Sequence, residues 1–139
     1  MNSKILIAFV AVAMGLLLSK ASLARDTNHK VVIEVVSSDP EQWGKLMNNI
    51  ENIQEALRKV TIEVVAHGEG LSLLVKTNNP PIDRMAKAAA NGVKFSACKN
   101  TMKNKKITRS HLLDFVETVD SGVAEVIRKQ EDHWAYLRN

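Results

Sequence analysis

The chain has 139 residues, 45% of them hydrophobic and 24% charged, with a formal net charge of +4 and one cysteine. That length suits one compact domain with a single core rather than two. A lone cysteine excludes the internal disulfide framework on which many small exported domains depend, so stability has to come from ordinary packing.

The first segment reads Met1-Asn2-Ser3-Lys4, an apolar run from Ile5 to Leu18, then Ser19-Lys20-Ala21-Ser22-Leu23-Ala24. A charged start, an apolar stretch and a small-x-small site are the features of a cleavable secretory signal peptide. The run is about 14 residues, short of the roughly 20 that a membrane-spanning helix needs. The expectation is therefore a signal peptide over 1–24, cleavage before Arg25, and a working domain over 25–139. No cysteine closes the signal, which argues against a lipoprotein. Losing Lys4 and Lys20 lowers the formal charge from +4 to +2. The destination is periplasmic or otherwise exported, with no stable membrane insertion after cleavage. Nucleic acid is a poor partner for such a protein.

Arg25 to Lys30 is polar, as a terminus freed by processing usually is. Val31 to Val36 is a β-branched run that predicts a strand buried on both faces. Ser37-Ser38-Asp39-Pro40 then predicts a helix start, with Asp39 as N-cap, Pro40 in the first position and Gln42 completing a capping box. Trp43, Leu46, Met47, Ile50, Ile53 and Leu57 share one helical face. Val60 to Ala66 is a second strand, His67-Gly68-Glu69-Gly70 the turn that leaves it, and Leu71 to Val75 a short helix. Asn79-Pro80-Pro81 opens another helix carrying Ile82, Met85, Ala86 and Ala89, which Asn91-Gly92 stops. Val93 to Ala97 is a third strand ending at Cys98. Thr108 can cap a short helix through Leu113, Phe115 to Val119 is a fourth strand, Gly122 to Glu131 a helix, and Trp134 to Leu137 a fifth strand at the edge.

Strands alternating with helices across short connections predict parallel strands with right-handed crossovers, and so a single three-layer α/β/α domain. In such sheets ligands gather outside the carboxyl ends of the strands. Ser37 to Asp39, His67 to Gly70 and Cys98 to Thr101 all leave strands at that edge. If the third strand lies beside the first, they surround one crevice, with Ser37, Ser38, Gly68 and Gly70 as its lining.

Cys98 stands at a strand end, before a helix start near Asn100 and Thr101 and close to Lys99 and Lys103. Helix-start N–H groups and cations both favour a thiolate. The competing reading is a buried cysteine that acts as a small hydrophobe. A thioredoxin-type mechanism is excluded because there is no second thiol. Of His29, His67, His111 and His133, only His67 lies at the same strand edge. It can polarise the thiol, serve a Cys–His hydrolase or bind a ligand, or simply be a solvated turn residue. No His or Cys pair has metal-ligand spacing, so neither metal nor cofactor is expected. The His67-Gly68-Glu69-Gly70 turn falls short of a phosphate loop and reads first as a tight turn. Lys99, Lys103, Lys105, Lys106 and Arg109 form a cationic run that is either a solvated face or an attraction for an anionic sulfur species or acidic partner. Trp43, Met47 and Met85 are assigned to packing.

The strand Val31 to Val36 with Asp39-Pro40 and Trp43, the segment Asn48-Asn49-Ile50-Glu51-Asn52, the turn Ala66 to Gly70, and above all Gly92-Val93-Lys94-Phe95-Ser96-Ala97-Cys98-Lys99-Asn100-Thr101-Met102 together resemble the DsrE/DsrF-like sulfur-relay family, in its exported single-domain branch. The resemblance implies a five-stranded parallel sheet in the order 2-1-3-4-5 and assembly into homo-oligomers. It also implies a strand-end cysteine, matched here by Cys98, that in cytoplasmic members accepts sulfane sulfur as a persulfide. The leading expectation is an exported protein that carries sulfane sulfur on Cys98, supported by His67, Lys99, Asn100, Thr101 and Lys103. Its expected partners are sulfur donors and acceptors, proteins or small compounds. The alternative is a non-catalytic ligand-binding or assembly module in which Cys98 only packs.

Overall fold

The computed structural model describes residues 28–139, so the segment expected to be a signal peptide lies outside the described residues. Five strands, β1 (His29–Val35), β2 (Val60–Ala66), β3 (Lys94–Cys98), β4 (Glu117–Val119) and β5 (Ala135–Arg138), form one sheet. They alternate with four α-helices, α1 (Pro40–Ala56), α2 (Ile82–Ala90), α3 (Lys99–Asn104) and α4 (Gly122–Glu131). Short 3-10 segments at Gly68–Leu74, Lys76–Asn78 and Arg109–His111 complete the connections. Every strand pairing is parallel. The α/β sandwich with a five-stranded parallel sheet is therefore as expected from the alternation of strand and helix patterns.

The strand order is β4-β3-β2-β1-β5, so β3 lies against β2 rather than β1 and the order differs from the expected 2-1-3-4-5. The chain steps in one direction through its first four strands and reverses only to place β5 on the far side of β1. Right-handed crossovers put helices on one face for one direction of travel and on the other face for the reverse. The core reflects this. Trp43, Leu46, Met47 and Ile50 of α1, Met85 and Ala88 of α2, and Met102 of α3 pack with Val31, Ile33, Val35, Ile62, Val64, Ala66, Phe95 and Ala97. The opposite face holds a much smaller apolar cluster of Val32, Val65 and Val126, with Trp134 against it. Of the α-helices, only α4 contributes a residue to it.

Local chemistry explains the boundaries. Asp39 caps α1 by accepting from the Glu41 N–H at 2.9 Å. The Asp39 N–H donates to the Ser37 hydroxyl at 3.1 Å, so Ser37 fills the reciprocal role expected of Gln42. Helix α2 ends at Ala90, and Gly92 beyond it, with φ of 90°, turns the chain so that the Val93 N–H reaches the Ala88 carbonyl at 3.0 Å. Phe115 precedes β4 instead of starting it, and packs edge-on against Phe95 with ring centroids 5.6 Å apart. Gly70 is needed where the segment after β2 crosses β1, because a Cβ there would meet the Val35 carbonyl oxygen at 2.1 Å.

The second face carries a buried polar group. Glu63 of β2 is 1% exposed, accepts from the Ser96 hydroxyl at 2.7 Å, and meets the Lys129 ammonium of α4 at 2.8 Å. Lys129 also lies 4.3 Å from the Trp134 ring centroid and 3.5 Å from Glu125. Burial opposes the Lys129 charge, but Glu63 and Glu125 more than offset it and hold its pKa above the ordinary value. Replacing Lys129 by Met leaves the Glu63 carboxylate with only the Ser96 hydroxyl and the more distant Lys94 ammonium at 3.8 Å, a change expected to cost about 3 kcal/mol in denaturant unfolding. Adding Glu63→Gln to that variant should recover much of the loss, and equal destabilisation of the single and double variants would show that the pair does not anchor α4.

Candidate functional site

Cys98 ends β3 and is the N-cap of α3, with extended backbone angles of φ −72° and ψ 115°. Its side chain points to the second face, because the register Val65↔Ser96 and Ala66↔Ala97 makes Ser96 and Cys98 alternate with the core residues Phe95 and Ala97. Cys98 is 4% exposed. Burial alone raises a thiol pKa. Here hydrogen bonds from the Thr101 hydroxyl and from the N–H groups of Gly122, Thr101 and Asn100 outweigh that effect, and the thiol lies below its ordinary value.

Two chain segments supply these donors. Asn100 and Thr101 belong to the first turn of α3, where N–H groups lack partners within the helix. Gly122 opens α4, which arrives from the far end of the sequence and is capped by the Ser121 hydroxyl accepting from Ala124 N–H at 3.3 Å. The Thr101 hydroxyl accepts from the Gly68 N–H at 3.0 Å, which leaves its own proton for the sulfur. Gly68 adopts φ 55°, a left-handed turn conformation suited to glycine. Gly122 has no room for a side chain, since a Cβ would lie 2.9 Å from the His67 Cβ and 3.2 Å from the Cys98 Cβ.

His67 follows β2 and stands in the row next to Cys98 when the β2–β3 register is extended by one residue. Its Nε2 is 2.7 Å from Glu34 Oε1, and both side chains are largely enclosed. Tyr136 of β5 donates its hydroxyl to the other Glu34 oxygen. Burial raises the Glu34 pKa, while Tyr136, His67 and Arg138 lower it, with a net shift downward. No hydrogen bond joins Cys98 to His67 among the described residues, and Nε2 is committed to Glu34. The bonded pair that a Cys–His hydrolase requires is thus not formed here.

The remaining expected residues are distributed as follows. Lys99 is exposed and pairs with Asp120 at 3.5 Å, and Lys103 is exposed on α3. Neither figures among the groups that set the Cys98 pKa, which rests on dipolar donors instead. Gly68 contacts the site through Thr101. Gly70 packs against the backbone of β1. Ser37 turns its hydroxyl to Asp39 and its carbonyl to the Trp43 indole at 2.9 Å, at the start of α1. Exposed Ser38 lies in the same turn, and β2 stands between that strand end and Cys98. His111 accepts from the Thr108 N–H at 2.9 Å in its own turn. Among the described residues no group of three or more His, Cys, Asp and Glu side chains could hold a metal ion, and no helix is long and apolar enough to cross a membrane.

Sequence reading missed Glu34, Gly122 and Tyr136. One signal was available: Glu34 interrupts a β-branched run predicted to be buried on both faces, and a charge there has to find a partner. Gly122 was visible only as a helix start, and Tyr136 only as an edge-strand residue.

Comparison with known proteins agrees with this architecture. Residues 21–138 match the model of the DsrE/DsrF-like family. Among solved structures the chain is similar to MTH1491 of Methanobacterium thermoautotrophicum, with 31% identity, a TM-score of 0.75, and coverage of 80% of this chain and 99% of that one. BT1422 of Bacteroides thetaiotaomicron aligns at 13% identity and a TM-score of 0.67, covering 84% of this chain and 99% of the other. The ychN protein of E. coli aligns at 14% identity and 0.65, covering 81% and 100%. The last two likenesses show the fold alone. No functionally curated protein matches the chain.

Removing one donor tests the electrostatics of the sulfur. Thr101→Val keeps the side-chain shape and deletes the hydroxyl, so the Cys98 pKa should rise, and alkylation by iodoacetamide at neutral pH should slow while the rate at high pH stays the same. An unchanged pH dependence of alkylation would show that the hydroxyl does not act on the sulfur.

Proposed function

This chain belongs to the DsrE/DsrF-like family, and we propose that it carries sulfane sulfur as a persulfide on Cys98. The observation that carries this reading is the position of Cys98 between two helix starts: it caps α3, Gly122 of α4 lies against its Cβ, and the donors of Thr101, Gly122 and Asn100 draw its pKa down. Donors in that arrangement stabilise an anion, and the same groups can hold a thiolate or a terminal persulfide anion. Charge from neighbouring lysines is not required.

The chemistry needs one thiol and no outside oxidant. The Cys98 thiolate attacks the outer sulfur of a donor R–S–SH, the new Cys98–S bond forms as the donor S–S bond breaks, and the electron pair leaves with R–S⁻. After proton transfer the products are Cys98–S–S⁻ and R–SH. An acceptor thiol reverses the exchange by attacking the outer sulfur and releasing Cys98 as thiolate. A depressed pKa makes Cys98 both available as the attacking thiolate and a good leaving group in the second step.

Export and homo-oligomer formation belong to the same proposal. Export is supported by the character of the first 24 residues. Oligomer formation is supported by Val123 and Ile127, which are 53% and 50% exposed on α4, over the sheet face with the smaller apolar cluster. The low exposure of Cys98 favours a second reading, in which the thiol only packs within a non-catalytic module.

Intact-mass measurement separates the two. After incubation with glutathione persulfide or inorganic polysulfide, the chain should gain one sulfur atom that dithiothreitol removes, and Cys98→Ser should gain none. A wild-type chain that takes up no sulfur from either donor would support the packing role and overturn the carrier.

A further inference from the structure

The carrier chemistry leaves one question that the geometry of Cys98 does not answer, namely where the departing thiolate obtains its proton. Displacement at sulfur is in line, and each S–S bond is about 2.05 Å, so the departing sulfur stands roughly 4 Å from Cys98 Sγ. A group that protonates it should therefore sit beside Cys98 without being bonded to it. His67 adjoins Cys98, because the β2–β3 register extended by one residue sets the two side by side on the second face. Its Cβ and Cδ2 lie 2.9 and 3.1 Å from the Cβ position of Gly122, and the Cys98 Cβ lies 3.2 Å from the same point. Its Nε2 is held by Glu34 at 2.7 Å, and Nδ1 has no hydrogen-bond partner among the described residues.

We propose that His67 donates a proton through Nδ1 to the thiolate that leaves when Cys98 takes a sulfur atom, with Glu34 and Tyr136 as positioning residues. The inference rests on the carrier reading and adds a residue role to it. Glu34 accepts from Nε2–H, which fixes that nitrogen as the protonated one in the neutral ring and leaves Nδ1 to gain and lose the working proton. Tyr136 donates to the second Glu34 oxygen and holds the carboxylate in place. In the transfer, the Cys98 thiolate bonds to the outer sulfur of R–S–SH and the donor S–S bond breaks. Nδ1–H passes its proton to R–S⁻, and the new Cys98–S–SH returns one to Nδ1. Protons and charge balance, and sulfur changes hands without net oxidation.

The surroundings contain few competing charges. From β1 and β5 come Glu34, Tyr136 and Arg138, the last acting on Glu34. From β3 comes Cys98 itself. The start of α4 contributes neutral Ser121 and Gly122, with Asp120 before them engaged by Lys99 at 3.5 Å. From α3 comes the neutral hydroxyl of Thr101, bonded to the Gly68 N–H. One turn further along α4 lies Glu125, paired with Arg128 at 2.8 Å and with Lys129 at 3.5 Å.

The experiment compares two leaving groups in the full chain. An aromatic disulfide such as dithiobis(nitrobenzoate) expels a thiolate that needs no proton, whereas glutathione persulfide expels an alkyl thiolate that does. His67→Ala should slow sulfur uptake from the persulfide by roughly 100-fold, the low end of what general acid catalysis supplies, and leave the aromatic reaction within about twofold. Added imidazole should restore part of the lost rate, which a merely structural role for His67 would not allow. Glu34→Gln, which keeps side-chain size, should show the same selective loss to a smaller degree. Equal slowing with both reagents, or no slowing with the persulfide, would overturn the inference and leave the carrier reading standing. Absence of sulfur uptake by the wild-type chain would overturn both.

Discussion

Much of this structure follows from one reversal of direction. Because β1 through β4 are laid down in a single sense, parallel crossover geometry puts α1, α2 and α3 on one side of the sheet. Only the step to β5 runs back, and it brings α4 to the other side. The first face therefore builds a large apolar core, while the second is left with a small cluster around Val32, Val65 and Val126. That asymmetry frees the second face to carry Glu63, Ser96, Glu34, His67 and Cys98. It also delivers the start of α4, at Gly122, to the carboxyl end of β3.

The environment of Cys98 is a balance between two opposed effects. Enclosure by the sheet and helices disfavours a charged sulfur, and four hydrogen-bond donors favour it more strongly. Three of those donors are backbone groups fixed by helix starts, so they need not reorganise when charge appears on the sulfur. The fourth, Thr101, is itself held by Gly68, so its donor direction is set by the turn after β2. Along the same face Glu63 is matched by Ser96 and Lys129, and Glu34 by His67 and Tyr136. Each buried carboxylate therefore has a specific partner, as low-dielectric surroundings require. The proton economy of the site and the attachment of α4 depend on different carboxylates of the same face, which makes them separable by substitution.

The legible and illegible parts of the site differ in a consistent way. Cys98, Asn100 and Thr101 are contiguous, so a strand-end cysteine before a helix start could be read directly. His67 and Gly68 were placed at the correct edge because they end the preceding strand. Glu34 and Tyr136 lie 102 positions apart, and their meeting depends on β5 pairing with β1. The lysines that looked most suggestive, Lys99 and Lys103, are in solvent, because side chains after a strand end at a helix start can turn outward while the backbone turns in. Ser37 and Ser38 were expected at the crevice on the assumption that β3 adjoins β1. With β2 between those strands, their turn serves the start of α1 instead.

By itself the sequence determined the class of the fold, the position of nearly every strand and helix, and the family, since these depend on hydrophobic periodicity, capping residues and a contiguous motif around Cys98. Sequence also placed Cys98 at a strand end, which is a local property. Tertiary structure alone decided the strand order, the face on which the thiol lies, the convergence of two helix starts on its sulfur, and the pairing of Glu34 with His67. Those features join residues distant along the chain, and the direction in which the last crossover returns is what brings them together.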